Sequence, residues 1–247
     1  AHDRVVNQLS GWDARLDPAT WQRSRTLFER AADDGLRSFV VATENYRNSG
    51  FTAAVLRGAE YRSGASVVDR LQKARRILDE TDRCLVYVYA AELDKAGHAH
   101  GWQSSQWTAE LEALDSAVRT FAATLGRDEG MLITADHGVL DVPPSGHVLF
   151  DTDPGLVDGI RFVAGEPRCL QLHFETDATP EHRVTVAQRW RESEGSRSWI
   201  VDRDEAIASG WFGPRVDPEV VPRIGDLLVA ARKNIAYYDS RATGQTG

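Results

Sequence analysis

Two apolar runs of strand length each end in a carboxylate that is followed by imidazole and glycine. Cys84-Leu85-Val86-Tyr87-Val88-Tyr89 leads into Glu92-Leu93-Asp94-Lys95-Ala96-Gly97-His98-Ala99-His100-Gly101, and Gly130-Met131-Leu132-Ile133-Thr134-Ala135 leads into Asp136-His137-Gly138. Aspartate and histidine are the donors that zinc and similar divalent ions take where no thiolate is offered. A ligand at the end of a buried strand lies in the crevice beyond the carboxyl edge of an α/β sheet. Two such pairs in one chain imply a two-metal site, which clamps a phosphoryl or sulfuryl group and stabilises its attacking and leaving oxygens. The expected ligands are Asp94, His98, Asp136 and His137, and the expected ions are two divalent cations, zinc first. Neighbours on an extended chain point to opposite faces, so Asp136 and His137 share an ion only where the strand breaks, as Gly138 permits. Asp94 and His98 have helical spacing, but Gly97 and Gly101 favour a loop. The bland alternative for Asp136-His137 is a strand-end cap beside an incidental histidine.

Other polar residues are weighed against structural roles. Lys95 and His100 share the first motif and are the candidates to touch an anionic substrate; their alternative is a solvated side chain. His147, in Ser145-Gly146-His147, is a tempting further ligand but follows Asp136 too soon to be favoured as one, and His2, His173 and His182 read as structural or solvated. Arg57 reads as an ion-paired arginine before a phosphate binder. Thr134 lies inside its strand and Ser104 reads as a helix cap. Trp102 and Trp211 are the tryptophans expected to line a substrate cleft. Cys84 and Cys169 sit in apolar runs and read as unpaired buried thiols.

Asp94-x-x-Gly97-His98-x-x-Gly101 followed by Thr134-Ala135-Asp136-His137-Gly138 resembles the alkaline phosphatase superfamily, in its type I phosphodiesterase/nucleotide pyrophosphatase branch. Asn48-Ser49-Gly50-Phe51-Thr52 through Leu56-Arg57-Gly58-Ala59 resembles the stretch before the first metal motif there. The likeness runs from about Asn7 to Tyr238. It implies a metal-dependent hydrolase of phosphoric esters, acting on phosphodiester or nucleotide pyrophosphate bonds of a small-molecule substrate. By the resemblance, Asp136 and His137 hold one ion and Asp94 and His98 the other. An upstream Asp, a Thr or Ser nucleophile and a late histidine would complete that set. None of the three matches a motif here, so the chain reads as an incomplete hydrolase with its nucleophile unassigned. A phosphomonoesterase or phosphonate hydrolase of the same superfamily is the alternative, and a sulfatase lacks its Cys-x-Pro-x-Arg motif. A non-catalytic metal-binding module is the alternative from another class.

The elements that must hold these residues follow from periodicity. Asp17-Pro18 opens a helix with Trp21, Ser24, Leu27, Phe28 and Ala31 inside and Gly35 at its end. Ser38–Ala42 is a strand, and Ser66 starts a helix carrying Val67, Leu71, Ala74 and Leu78 on one face. Between the metal strands, Trp107, Leu111, Leu114, Val118, Phe121 and Leu125 keep helical spacing, which predicts a parallel βαβ unit. Beyond Pro143-Pro144, 160–163 and 169–174 read as a hairpin around Gly165-Glu166-Pro167, Thr179-Pro180 starts a helix, and 199–201 and 206–208 are a strand and a short helix. The fold expected is α/β, a sheet flanked by helices: 1–153 carrying both metal motifs, 154–214 as an inserted α+β subdomain, and 215–247 returning to the main sheet through 227–231.

With 247 residues, 42% hydrophobic and 27% charged, the composition is that of a globular chain with a sizeable core. A net charge of −8 argues against binding a nucleic-acid backbone. It does not exclude an anionic substrate, since two divalent cations reverse the local field. No apolar run is long enough to span a bilayer. The compartment stays open.

Overall fold

The computed structural model describes residues 12–13 and 15–242; His2 lies outside them. The chain divides into two compact units, 1–139 and 140–247.

In the amino-terminal unit the single helix expected from Asp17 is two. α1 (Pro18–Trp21) ends at an extended Gln22, and α2 (Leu27–Asp33) starts from a reciprocal capping box of Thr26 and Glu29. Local hydrogen bonding at Thr26 therefore overrides the longer apolar stripe. Gly35, at φ +73°, turns the chain into β1 (Arg37–Ala42). Then follow α3 (Gly50–Val55), β2 (Glu60–Ser63), α4 (Val67–Glu80, capped by Ser66) and β3 (Cys84–Val88). The three strands form a parallel sheet in the order β2-β1-β3. Phe28 of α2 packs with Val40 and Ala42 on one face, and Ile77 of α4 packs with Phe39 and Val41 on the other. A parallel sheet covered on both faces explains why β1 is buried at five consecutive positions.

After β3 come α5 (Glu92–His100) and α6 (Ser105–Ala122, capped by Ser104). Residues 131–135, read from sequence as the second metal strand, form no strand among the described residues. The parallel βαβ unit expected between the two motifs is accordingly not formed. The apolar run is present, but a strand also needs a ladder, and the run pairs with none of the described strands.

The carboxyl-terminal unit runs through β4 (His147–Leu149), α7 (Pro154–Val157), β5 (Ile160–Glu166), β6 (Cys169–Phe174), α8 (Pro180–Glu194), β7 (Ser198–Asp202), α9 (Arg203–Ala208), β8 (Leu227–Ala231) and β9 (Ala236–Tyr238). β5 and β6 form the expected hairpin, with Gly165 at φ +88°. The 227–231 segment, expected to rejoin the main sheet, instead pairs antiparallel between β6 and β7, giving the order β5-β6-β8-β7. Its reason is burial: Leu227 and Val229 point into the core of this unit beside Leu172, Val186 and Trp190. β4 and β9 form a short parallel pair that the sequence reading did not anticipate. The architecture is mixed α/β, with parallel and antiparallel sheets flanked by helices. No described helix is long and apolar enough to cross a membrane.

Candidate metal centre

Asp94 and His98 lie on a helix, not on the loop expected from Gly97 and Gly101. Gly97 is buried within α5, while Gly101, at φ +80°, is where the helix stops. The i, i+4 spacing puts both side chains on one face, with His98 Nε2 3.4 Å from Asp94 Oδ1. The second motif meets the first there. His137 Nε2 is 3.9 Å from the same Asp94 oxygen and 3.7 Å from Asp136 Oδ2. Val139 also approaches Gly97, its Cγ1 lying 3.4 Å from where a Cβ would stand. His137 Nδ1 is 2.9 Å from Gly138 O. A carbonyl can only accept, so Nδ1 donates; in the neutral imidazole that leaves the Nε2 lone pair on the side of the carboxylates, available to an ion.

The entry of the first motif is set by a residue that sequence reading passed over. Arg70 of α4 is fully buried and donates to Tyr89 O (2.6 Å), Ser66 O (3.1 Å) and the Glu92 carboxylate. It thereby joins the end of β3 to the first turn of α5, two residues before Asp94. A Cβ on Gly64 would stand 2.5 Å from Arg70 Cγ, so this glycine makes room for the arginine. The available signal was a charged residue next to Leu71 in an otherwise apolar helix stripe. Beside Glu92 is a cavity of about 260 Å³ lined by Val67, Val68, Leu93 and Leu114 among others; none of the four candidate ligands borders it. The phenol pKa values of Tyr87 and Tyr89 are raised, first by burial; Asp136 adds to this for Tyr87, and Tyr46, then Asp136 and Asp94, for Tyr89.

The four side chains suit a divalent ion in kind and spacing. With zinc–donor bonds of about 2.0–2.2 Å, two ligands of one tetrahedral ion lie roughly 3.3–3.6 Å apart. The 3.4 Å pair matches that range, and the 3.7 and 3.9 Å pairs lie just beyond it. Among the described residues, however, no group of three or more His, Cys, Asp or Glu side chains is arranged to hold an ion. The fit is therefore to pairs of ligands.

The remaining candidates fall elsewhere. Lys95 and His100 are exposed on α5. At about 100° per residue, Lys95 turns away from Asp94, and His100 sits about 200° around the helix from His98. Arg57 pairs with Glu29 at 2.8 Å and donates to the carbonyls of Ala54, Gln22 and Ser24, an internal structural role. Ser104 caps α6 through Trp107 N–H, and Thr134 Oγ1 bonds to Ala135 O. Trp102 is exposed; Trp211 packs edge-on against Trp199 at 6.5 Å. His147 packs against Tyr238 in a tilted contact, with ring centroids 4.8 Å apart. His173 is partly buried and its pKa is lowered by that burial, while His182 Nε2 lies 3.2 Å from Asp158 O. Cys84 and Cys169 are free thiols, partly buried.

Residues 2–246 match the family described as type I phosphodiesterase / nucleotide pyrophosphatase. No curated protein matches the chain. Among solved structures it is similar to human ectonucleotide pyrophosphatase / phosphodiesterase 5 (TM-score 0.65, 14% identity, 92% of this chain and 59% of that one). An inactive variant of the murine protein in complex with AMP gives a TM-score of 0.63 at 13% identity, covering 87% of this chain and 56% of that one. Phosphonoacetate hydrolase from Sinorhizobium meliloti 1021, in complex with phosphonoformate, gives 0.63 at 15% identity, covering 92% and 63%. At these identities the likeness shows the fold, and the chain spans less than two thirds of each of those structures. Metal dependence is typical of the matched family. With the family match running over nearly the whole chain, this protein belongs to the type I phosphodiesterase / nucleotide pyrophosphatase family.

Proposed function

We propose that the chain is part of a metal-dependent hydrolase of phosphoric esters that cleaves phosphodiester or nucleotide pyrophosphate bonds in a small-molecule substrate. The observation that carries this reading is the meeting of Asp94, His98, Asp136 and His137 at the carboxyl end of β3, in a chain of this family. These four side chains would hold two divalent ions, zinc by the nature of the donors. Bound there, such ions neutralise phosphoryl oxygens and lower the pKa of a nucleophile. The chain's own residues prepare the site. Arg70 ties β3 to α5 and so fixes where Asp94 starts, and the Gly138 carbonyl fixes the His137 tautomer. Lys95 and His100 are the side chains proposed to meet the substrate's negative charge, which requires α5 to present a different face from the one shared by Asp94 and His98.

Hydrolysis of a C–P bond is the second reading, favoured by the similarity to phosphonoacetate hydrolase. The test is a panel of aryl phosphate monoesters, aryl phosphate diesters, nucleoside diphosphates and phosphonates, run on the whole gene product with and without chelator. Chelator-sensitive turnover highest on diesters or pyrophosphates supports the first reading, highest on phosphonates the second. No turnover on any of them contradicts both.

A further inference from the structure

The carboxyl-terminal unit carries an exposed aromatic turn. α9 stops in a Schellman arrangement, with Gly210 N–H donating to Ile207 O and Trp211 N–H to Ala206 O. Gly213 N–H then donates back to Gly210 O at 3.0 Å, which makes Gly210-Trp211-Phe212-Gly213 a hydrogen-bonded β-turn. Gly210 and Gly213 both hold positive φ, +77° and +85°, and neither has a neighbour within 4 Å of where a Cβ would stand. The backbone thus fixes a turn whose two central positions are Trp and Phe. Such positions are dominated by Gly, Pro, Asn, Asp and Ser, so the aromatic pair adds nothing to the turn itself.

Nor do the rings serve the core. Trp211 is 41% and Phe212 36% exposed, and Trp199 of β7, at 54%, meets Trp211 edge-on with ring centroids 6.5 Å apart. The small core under α9, built from Val201, Ala206, Ile224 and Leu228, includes none of the three. Cations stand around them. Arg232 lies over the Trp199 ring, its Cζ 5.7 Å from the centroid, and donates to Gly195 O, which fixes a charge at the edge of the patch. Arg215, just past Gly213, and Lys233, next to Arg232, are exposed. The exposed carboxylates of α9, Asp204 and Glu205, sit in its first turn, at the end away from Gly210. Asp217 accepts a hydrogen bond from Glu219 N–H. A contiguous group of exposed apolar side chains marks an interaction site. Trp and Phe at a turn, with Arg and Lys beside them, are the residues of a membrane interface: the rings occupy the headgroup layer and the cations pair with lipid phosphates.

We propose that the Trp211-Phe212 turn, with Trp199 and Arg232 beside it, docks this protein on an anionic phospholipid surface. The turn is closed by its own hydrogen bonds before it meets the bilayer, so little backbone freedom is lost on docking. Two or three rings entering the headgroup layer give reversible attachment, not a span. The chain as a whole carries a net charge of −8, so attraction to anionic lipid is local to Arg215, Arg232 and Lys233. This gives Trp211 a role other than lining the substrate cleft. None of these residues belongs to the candidate metal centre, and the two readings are tested separately.

Co-sedimentation of the whole gene product with vesicles of equal parts phosphatidylcholine and phosphatidylglycerol tests this. The wild type should pellet with them, and less with phosphatidylcholine alone. The double variant Trp211→Ser, Phe212→Ser should bind the mixed vesicles at least ~10-fold more weakly. A second measurement needs no substitution and reads the turn itself, whatever else in the product touches lipid. In nanodiscs of the mixed composition, a paramagnetic chelate on the lipid headgroup should broaden the indole N–H signals of Trp199 and Trp211. It should spare Trp190, which is fully buried in the core of this unit. A wild type that fails to pellet, or that binds both vesicle types equally, overturns the proposal. So does a double variant that binds as the wild type does, or a Trp211 signal that ignores the paramagnetic lipid. A lipid-free dimer of the wild type that the double variant loses overturns it in favour of a second copy.

Discussion

His137 Nε2 lies 3.9 Å from Asp94 Oδ1, and His98 Nε2 lies 3.4 Å from the same oxygen. One carboxylate thus faces imidazoles from both motifs. The 3.9 Å separation is too long for a hydrogen bond, and under the proposed reading a bound cation is what would draw these groups together. Asp94 is accordingly expected to be the most sensitive of the four positions. In calorimetric zinc titrations of the whole gene product, Asp94→Ala should weaken binding by more than the roughly 10–100-fold that loss of an outer partner costs. His98→Ala should weaken it less than Asp94→Ala. The reverse order would return Asp94 to a pair with His98 alone.

Replacing His137 or Asp136 with Ala should abolish turnover, while His147→Ala and His173→Ala should leave most of it. His147 is engaged with Tyr238 at the start of β4, and His173 is packed in β6. Steady-state kinetics on the whole gene product separates these sets. Equal damage from His147→Ala and His137→Ala would make His147 a ligand.

Arg75 holds the Glu129 carboxyl down to about 2, well below the ordinary 4.5 of a glutamate, through its side-chain hydrogen bonds and with help from Gly126 N–H. A carboxyl lowered on folding stabilises the fold above its unfolded pKa, and that contribution is lost as pH falls through the folded value. Arg75→Ala should therefore return Glu129 to the ordinary carboxylate range, visible in its side-chain NMR titration. The melting-temperature gap between wild type and Arg75→Ala should be full above pH 4.5 and should close toward pH 2. A gap unchanged across that range contradicts the ion-pair account.

In the carboxyl-terminal unit, Tyr237 Oη donates to the buried Glu194 carboxylate at 2.7 Å, which leaves the Ser198 hydroxyl to donate to Tyr237 at 2.6 Å. Burial works against the Glu194 charge, but hydrogen bonds from Arg197, Tyr237 and Ser193 outweigh it and its pKa is lowered overall. Tyr237→Phe leaves two buried groups short of a partner and should cost about 1–3 kcal/mol in denaturant unfolding. A neutral result would mean that water enters to replace the phenol.

Much of this was legible in residue order. Ser104 caps its helix as read, helices begin after Ser66 and Thr179 where expected, and His137 of the second motif lies 3.9 Å from Asp94 of the first. What failed was long-range. The 131–135 run has every local property of a strand, but a ladder depends on a neighbour that local pattern does not encode. Leu227–Ala231 has no pattern that separates one sheet from another, so its pairing with β6 and β7 had to come from packing. Around Asp94, glycines were read as loop-formers, whereas Gly97 sits inside α5 and only Gly101 ends it. Arg70 went unnoticed because a buried arginine is recognised by its partners, Tyr89 O and Glu92, which are distant in sequence.

Elemental analysis of the whole gene product after dialysis against zinc tests the central claim most directly. The account predicts about two zinc ions per chain, falling when Asp94 and Asp136 are both replaced by Ala. A protein that retains no metal after that dialysis, or that binds it equally well without both carboxylates, would contradict the account.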